Sequence, residues 1–233
     1  MGLKDRRFAA AAVVGMLALA GGPARADDGQ ADQAEPALKL NLLETLDLWS
    51  SAGGGIQPGG TVLSKLRISA TWNAGAFGDP DLKTHVQIFA INGRPFSGDF
   101  VGDIQTLSNI EAPTSVRLFD LWVEQAFNKK GSVRFGLLDL NHDFDAISPA
   151  GLFISSSHGI GPDISKSGRN GPSIFPVSSL AAEGAWSPSQ RLTLKAGVFD
   201  GVSGDPQHPG AFVSVARQDR LESGTRGFRA LGL

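Results

Sequence analysis

The feature that most limits what this chain can fold into is the alternation of apolar and polar side chains at every second position. Seven segments between residues 38 and 201 show this alternation, and turn-forming residues separate them. Successive side chains of a β-strand point to opposite faces, so each segment predicts a strand with one apolar and one polar face. The sequence therefore predicts an all-β fold of about seven antiparallel strands.

The fourth predicted strand, from Arg117 to Phe127, carries the clearest pattern. Its apolar positions, which we expect on one face, are Phe119, Leu121 and Val123. Its polar face is expected to carry Asp120, Trp122 and Glu124. The sixth strand is predicted from about Phe175 to Trp186 and the seventh from about Arg191 to Gly201.

The lengths of the connections between predicted strands distinguish two ends of the sheet. Long connections run over residues 92–114 and 142–174, whereas the turns at 128–131 and 187–190 are short. Outer-membrane barrels have long extracellular loops and short periplasmic turns. This rhythm favours a transmembrane β-barrel of the porin type, although alternation alone is also compatible with a soluble β-sandwich.

The amino terminus has the layout of a secretory signal peptide. Three basic residues precede an apolar stretch over residues 8–20, and Ala24 and Ala26 give a small-x-small cleavage site. The stretch is shorter than the roughly 20 residues that a membrane-spanning helix needs. We therefore predict export with cleavage after residue 26, followed by a polar segment over residues 27–37.

Charge and cysteine content exclude several classes of protein. Without residues 1–26 the chain has 17 Lys and Arg (21 minus 4) against 22 Asp and Glu (23 minus 1), an acidic balance that does not suit nucleic-acid binding. The absence of cysteine rules out a fold held by disulfides. No apolar run after the signal reaches spanning length, so only a closed barrel could cross a membrane.

Four segments together resemble the carbohydrate-selective porin family of the OprB type. They are GDIQTLSNIEAP at 102–113, RLFDLWVEQAF at 117–127, GLLDLNHDF at 136–144 and LKAGVFDG at 194–201. The resemblance covers residues 38–209. It implies a barrel of the outer membrane that passes glucose and related sugars by diffusion through a constricted polar lumen, with carbohydrate and membrane lipid as partners and no cofactor.

The chain departs from this family in its number of strands. Seven strands leave the barrel incomplete, and the tail over residues 210–233 is polar, rich in arginine and expected to be disordered. A truncated or frame-shifted gene product is the favoured interpretation, and a half-barrel that assembles with further chains is the alternative. Unpaired strand edges cannot be satisfied in lipid, so we expect no conduction from this chain alone.

Strand parity predicts which polar side chains line the lumen and contact the substrate. They are Lys65, Arg67, His85, Asp120, Trp122, Glu124 and Arg134. Each could also be ordinary solvated wall without a selective role. In the family-like loop, a loop-fixing role is favoured over a constricting one for Asp103, Asn109 and Glu111.

Signatures of enzymes and metal sites are weak. His142, Asp143 and Asp145 lie close together but lack a second group at ligand spacing, so a loop terminus is favoured over a metal site. Neither a nucleotide-binding loop nor a nucleophile elbow is present. We therefore expect a transport channel and not an enzyme; the alternative is a secreted or surface β-sheet protein that binds carbohydrate without a pore. The preferred sugar is left open.

Overall fold

The computed structural model describes residues 36–74, 79, 81–127, 130–167, 170–189, 191–205, 207–208, 210–214 and 229–231. The predicted signal peptide, most of the polar segment after it and most of the tail lie outside these residues.

A single antiparallel sheet contains every strand, in the order of the chain. The strands are β1 (Leu38–Ser51), β2 (Gly59–Asn73), β3 (Leu82–Asn92), β4 (Ser115–Phe127), β5 (Gly131–Leu138), β6 (Ser179–Ser189), β7 (Leu192–Phe199) and β8 (Arg229–Leu231). The all-β antiparallel prediction is confirmed. The three-residue β8 lies where the sequence predicted no strand, and it pairs with β7.

Within the described residues, the helical segments are short and lie in the connections. They are a π-turn (Ser97–Val101), α1 (Leu140–Asp143), two 3₁₀ segments (Ser148–Leu152 and Ser156–His158) and α2 (Pro162–Ser165). Among the described residues, no helix is both long enough and apolar enough to pass through a lipid bilayer.

The two faces of the sheet are inverted relative to those of a soluble protein. Leu40 and Leu42 on β1 are 71% and 70% exposed, and large apolar side chains on the same face of β2 and of β4 to β7 are exposed as well. The opposite face carries the polar positions, and the loops cover part of it. A soluble sandwich would bury its apolar face, so the sheet has the arrangement of a membrane barrel wall, apolar outside and polar inside.

A β-bulge in β4 corrects one prediction. Gln87 pairs with Asp120 and Ile88 pairs with Leu118, which leaves Phe119 as an extra residue. Phe119 is 2% exposed and lies 4.7 Å from the ring of Phe89 on the inner face. The prediction that Phe119 shares a face with Leu121 and Val123 was wrong, because a bulge shifts the alternation by one residue. Leu121 and Val123 beyond the bulge are exposed on the apolar face, as predicted.

The long connections fold back over the polar face and build the core there. Trp49 of β1 and Leu63 of β2 pack against Phe96, Phe100 and Ile110 of the β3–β4 loop. This apolar contact holds the loop against the inner side of the sheet.

The β5–β6 loop contributes a second contact on the inner face. Phe175, predicted to begin the sixth strand, lies in this loop and packs on Phe89 at 5.6 Å between ring centroids. The sixth strand instead begins at Ser179. The core therefore lies between loop and sheet, where the lumen of a barrel would be.

Neighbouring residues of β1 test the assignment of the two faces. Leu42 lies near the middle of the exposed apolar face and Asn41 on the opposite face. We expect Leu42→Arg to lower the free energy of unfolding in phospholipid vesicles by about 2–4 kcal/mol, since a charge then enters hydrocarbon. Asn41→Arg should cost less than about 0.5 kcal/mol. Urea titrations followed by tryptophan fluorescence measure both, and equal costs would contradict the assignment.

Candidate channel-lining site

The strand registers place all seven predicted lining residues on the inner face. His85 lies directly across from Trp122, and Glu124 directly across from Arg134. Lys65, Arg67 and Asp120 lie on the same face of β2 and β4. Contacts join His85 to Trp122, Trp122 to Arg134, and Arg134 to Glu124. Asp120 lies two residues before Trp122 on β4, next to this set. Lys65 and Arg67 lie farther along β2.

Arg134 is the hub of this inner face. Its Nε and Nη2 donate to Glu124 Oε2 at 3.0 and 2.8 Å. Its Nη1 donates to Asp143 Oδ2 at 2.7 Å and to Glu183 Oε2 at 3.4 Å. The side chain is only 17% exposed. One guanidinium therefore ties β4, β5 and β6 to helix α1, with the fork geometry that suits carboxylate partners.

Lys195 extends the network to β7. Its Nζ donates to Asp143 Oδ1 at 2.5 Å. Burial raises the pKa of Asp143, but the hydrogen bond from Lys195 and the charge of Arg134 outweigh burial and hold the pKa below its ordinary value. Three carboxylates and two cations give the cluster a formal charge of about −1 when all are ionised. Its charges are largely compensated within the wall.

The indole ring of Trp122 contacts an imidazole ring and a guanidinium group. The His85 imidazole stacks on its indole with 5.0 Å between ring centroids and an interplanar angle of 18°. The Arg134 guanidinium carbon lies 4.6 Å from the indole centroid. Since β3 and β5 flank β4 on opposite sides, the two groups approach the indole from opposite sides. The two contacts occupy the stacking surface of the indole.

A second polar group lies nearer the long loops. Gln87 Nε2 donates to Asp120 Oδ2 at 3.1 Å, and Thr71 Oγ1 lies 2.8 Å from His85 Nδ1. The Lys65 ammonium rests over the rings of Phe89 and Phe175 at 5.3 and 4.8 Å. These cation–π contacts hold the lysine against the wall.

Asp139 lies where β5 ends and α1 begins. Its Oδ1 accepts the Asn141 N–H at 2.9 Å and caps the helix. Burial, together with the charge of Asp143, raises the pKa of Asp139 to about 6 despite this hydrogen bond. The carboxyl thus takes up a proton more readily than an exposed aspartate.

Two of the three predicted loop-fixing residues make contacts of that kind. Asn109 donates through its side chain to Phe153 O and through its backbone to Ile154 O, both at 2.8 Å. Glu111 accepts the Ser97 N–H at 3.1 and 3.2 Å. The bonds of Asn109 join the β3–β4 loop to the β5–β6 loop. The bonds of Glu111 connect two parts of the β3–β4 loop.

For Asp103 the structure shows a different environment. Its Oδ2 is buried and has no hydrogen-bond partner among the described residues, so a loop-fixing role stays a prediction. Ser108, which was not predicted, donates to Asp47 Oδ2 of β1 at 2.6 Å and fastens the loop to the sheet.

Three members of the charge network escaped the sequence analysis. Glu183 and Lys195 occupy inner positions on β6 and β7, so parity could have identified both. Asp143 was weighed as a metal ligand and interpreted as part of a loop terminus, without a charge partner. The described residues contain no group of three or more His, Cys, Asp or Glu arranged to hold a metal ion.

Comparisons with known proteins agree with this arrangement. The sequence model of the carbohydrate-selective porin, OprB family, matches residues 59–230. A solved structure of OprB from Pseudomonas putida, at high pH, is similar in fold with a TM-score of 0.61 at 17% sequence identity. The alignment covers 71% of this chain and 41% of that one, so the chain spans about two fifths of its length. No curated protein sequence matches.

Removing the hub should destabilise the inner face. In Arg134→Gln, Glu124 and Glu183 lose their cation and Asp143 keeps only Lys195, so we expect the free energy of unfolding to fall by about 3–5 kcal/mol. The matched control is Arg94→Gln, which breaks an exposed pair with Asp99 and should cost at most about 1 kcal/mol. Urea unfolding in vesicles compares the two. Equal losses would show that Arg134 is not a buried hub.

The raised pKa of Asp139 predicts a pH dependence of stability. Between 3.8, its ordinary pKa, and about 6 the folded state keeps a proton that the unfolded state has lost. The free energy of unfolding should therefore fall as pH rises from 3.8 to about 6, and this loss should be complete above that window. Asp139→Asn can keep the cap but cannot ionise, so its unfolding free energy should not share this fall. Parallel curves for the two proteins between pH 4 and 6 would refute the assignment.

Proposed function

The chain belongs to the OprB family of carbohydrate-selective porins. From this we propose that it forms part of the wall of an outer-membrane channel through which carbohydrates diffuse. The protein would reach that membrane by export through the predicted signal peptide and would bind no cofactor. Glucose and related sugars are the proposed solutes.

The inverted sheet is the observation that carries the proposal. Apolar side chains such as Leu42 and Phe135 are exposed on one face, at 70% and 62%, while the charged Arg134 and Glu183 are half-buried and buried on the other. Hydrocarbon suits the first face, and a wet lumen suits the second. A transport channel needs both, whereas a soluble carbohydrate-binding sheet would have to cover its apolar face.

The chemistry of the inner face supports an uncharged polar solute. The cations Arg134 and Lys195 are each bound to carboxylates, so the wall presents hydrogen-bonding groups with little excess charge. Sugar hydroxyls can exchange hydrogen bonds with such groups and with water as they pass. Since the faces of Trp122 are occupied by His85 and Arg134, we assign the aromatic ring a role in holding these polar groups in place.

Closing the channel requires more strands than the structure describes. Within the described residues, β1 and β8 each pair on one side only. A free edge in lipid leaves backbone groups unsatisfied at several kcal/mol each, so further strands must pair with them. We propose that strands beyond the described residues, from a longer form of the protein or from further chains, pair with these edges in the working channel.

Liposome swelling tests the proposal with a matched pair of variants. Protein extracted from outer membranes of expressing cells keeps any chain that completes the wall, and swelling in isosmotic glucose should exceed that of protein-free vesicles. Ala185 lies on the inner face and Ala182 on the outer face of β6. Ala185→Trp narrows the lumen and should slow swelling several-fold, whereas Ala182→Trp should leave it unchanged. No swelling by the unmodified protein, or equal effects of the two variants, would contradict the proposal.

A further inference from the structure

The lipid-facing side of β5, β6 and β7 is not flat. Near the short-turn end it contains a groove of about 580 Å³, within the range of sites that hold small ligands. Its lining residues are Phe127, Lys130, Gly131, Ser132, Val133, Gly184, Ala185, Trp186, Leu194, Lys195 and Ala196. Nothing in the channel function uses this groove.

The pairing of small with large side chains across the strands creates the groove. Gly184 lies between Val133 and Ala196, so two small residues adjoin on one row of the outer face. On the next row Trp186 lies between Gly131 and Leu194. The small residues form the floor, and the aromatic and branched side chains form the walls.

One end of the groove carries a positive charge. Two lysines line it, but the Lys195 ammonium is bound to Asp143 on the inner face. Lys130 is exposed, and no carboxylate pairs with it in the part of the chain that the structure describes. Its position is fixed, because its N–H donates to Phe127 O at 3.0 Å and its carbonyl accepts the Ser187 N–H at 2.6 Å.

We propose that this groove binds an anionic phospholipid, with an acyl chain along Gly184 and Ala196 and the phosphate beside Lys130. The groove opens toward hydrocarbon and is lined mainly by apolar side chains, so water filling it would lack hydrogen-bond partners. Phe127 and Trp186 lie at strand ends, where aromatic residues of barrels mark the membrane interface. An acyl chain and a headgroup phosphate therefore meet complementary surfaces at the depths where a bilayer places them.

Trp186 provides a local probe of this site. It is one of four tryptophans, so the difference in fluorescence between the unmodified protein and Trp186→Phe isolates its signal. The whole chain is reconstituted in vesicles containing increasing fractions of phosphatidylglycerol or phosphatidylcholine with brominated acyl chains, which quench nearby indoles. The measured quantity is the mole fraction of brominated lipid that half-quenches the Trp186 signal.

We expect the anionic lipid to half-quench Trp186 at a mole fraction about fivefold lower than the zwitterionic lipid, as one interfacial lysine favours an anionic headgroup by about that factor. Lys130→Gln should abolish this preference. Lys166→Gln, an exposed lysine in the β5–β6 loop at the long-loop end, makes the same charge change and should retain it. Soluble glycerol phosphate in excess should not relieve the quenching, because it lacks the acyl chain.

Filling the groove gives an independent test. A Cβ at Gly184 would meet no atom nearer than 3.9 Å, so Gly184→Leu fits without disturbing the backbone and occupies the acyl-chain position. Quenching at low lipid fraction should then be lost, whereas Ala182→Leu on the same face should keep it. Equal quenching by the two lipids in the unmodified protein, a preference that survives Lys130→Gln, or displacement by glycerol phosphate would overturn the proposal.

Discussion

Backbone hydrogen bonding in hydrocarbon is the constraint on which the rest of this structure depends. Lipid offers no partner to an N–H or C=O group, so strands can enter it only when their backbone groups pair with neighbouring strands. That pairing fixes the side-chain period at two and gives each strand one face for lipid and one for the interior. The exposed leucines of β1 and the inward Arg134 of β5 are two results of the same ladder.

The charged side chains of the inner face must then lie away from lipid and form ion pairs with one another. Arg134 provides these pairs, because one guanidinium binds carboxylates from β4, β6 and α1 while covering one side of Trp122. The same contacts fix α1 and the start of the β5–β6 loop against the wall. Apolar clusters between loop and sheet, such as Phe96 and Phe100 on Trp49, hold the β3–β4 loop beside it. Electrostatic and apolar contacts thus shape the lumen together.

Much of this could be predicted from sequence, because a period of two is a local property. The alternation around Leu121 and the unequal connection lengths were enough to predict the antiparallel sheet and its two faces. The bulge at Phe119 could not be predicted, since it depends on how β4 pairs with β3 and leaves no mark within β4 itself. Parity could have placed Lys195 on the inner face, but its bond to Asp143 could not be predicted, because the two are 52 residues apart in sequence and only the fold brings them together. The start of the sixth strand was predicted too early, at Phe175, because an apolar loop residue that packs on the inner face has the same sequence pattern as a strand residue.

The central claim, that one face of the sheet meets lipid and the other a wet lumen, can be tested directly because the chain contains no cysteine. Single cysteines placed along β1 at Lys39, Leu40, Asn41 and Leu42 all occupy exposed positions. In intact membranes a charged, membrane-impermeant maleimide should label the cysteines at 39 and 41 rapidly and those at 40 and 42 hardly at all. Labelling at equal rates along the four positions would contradict the account.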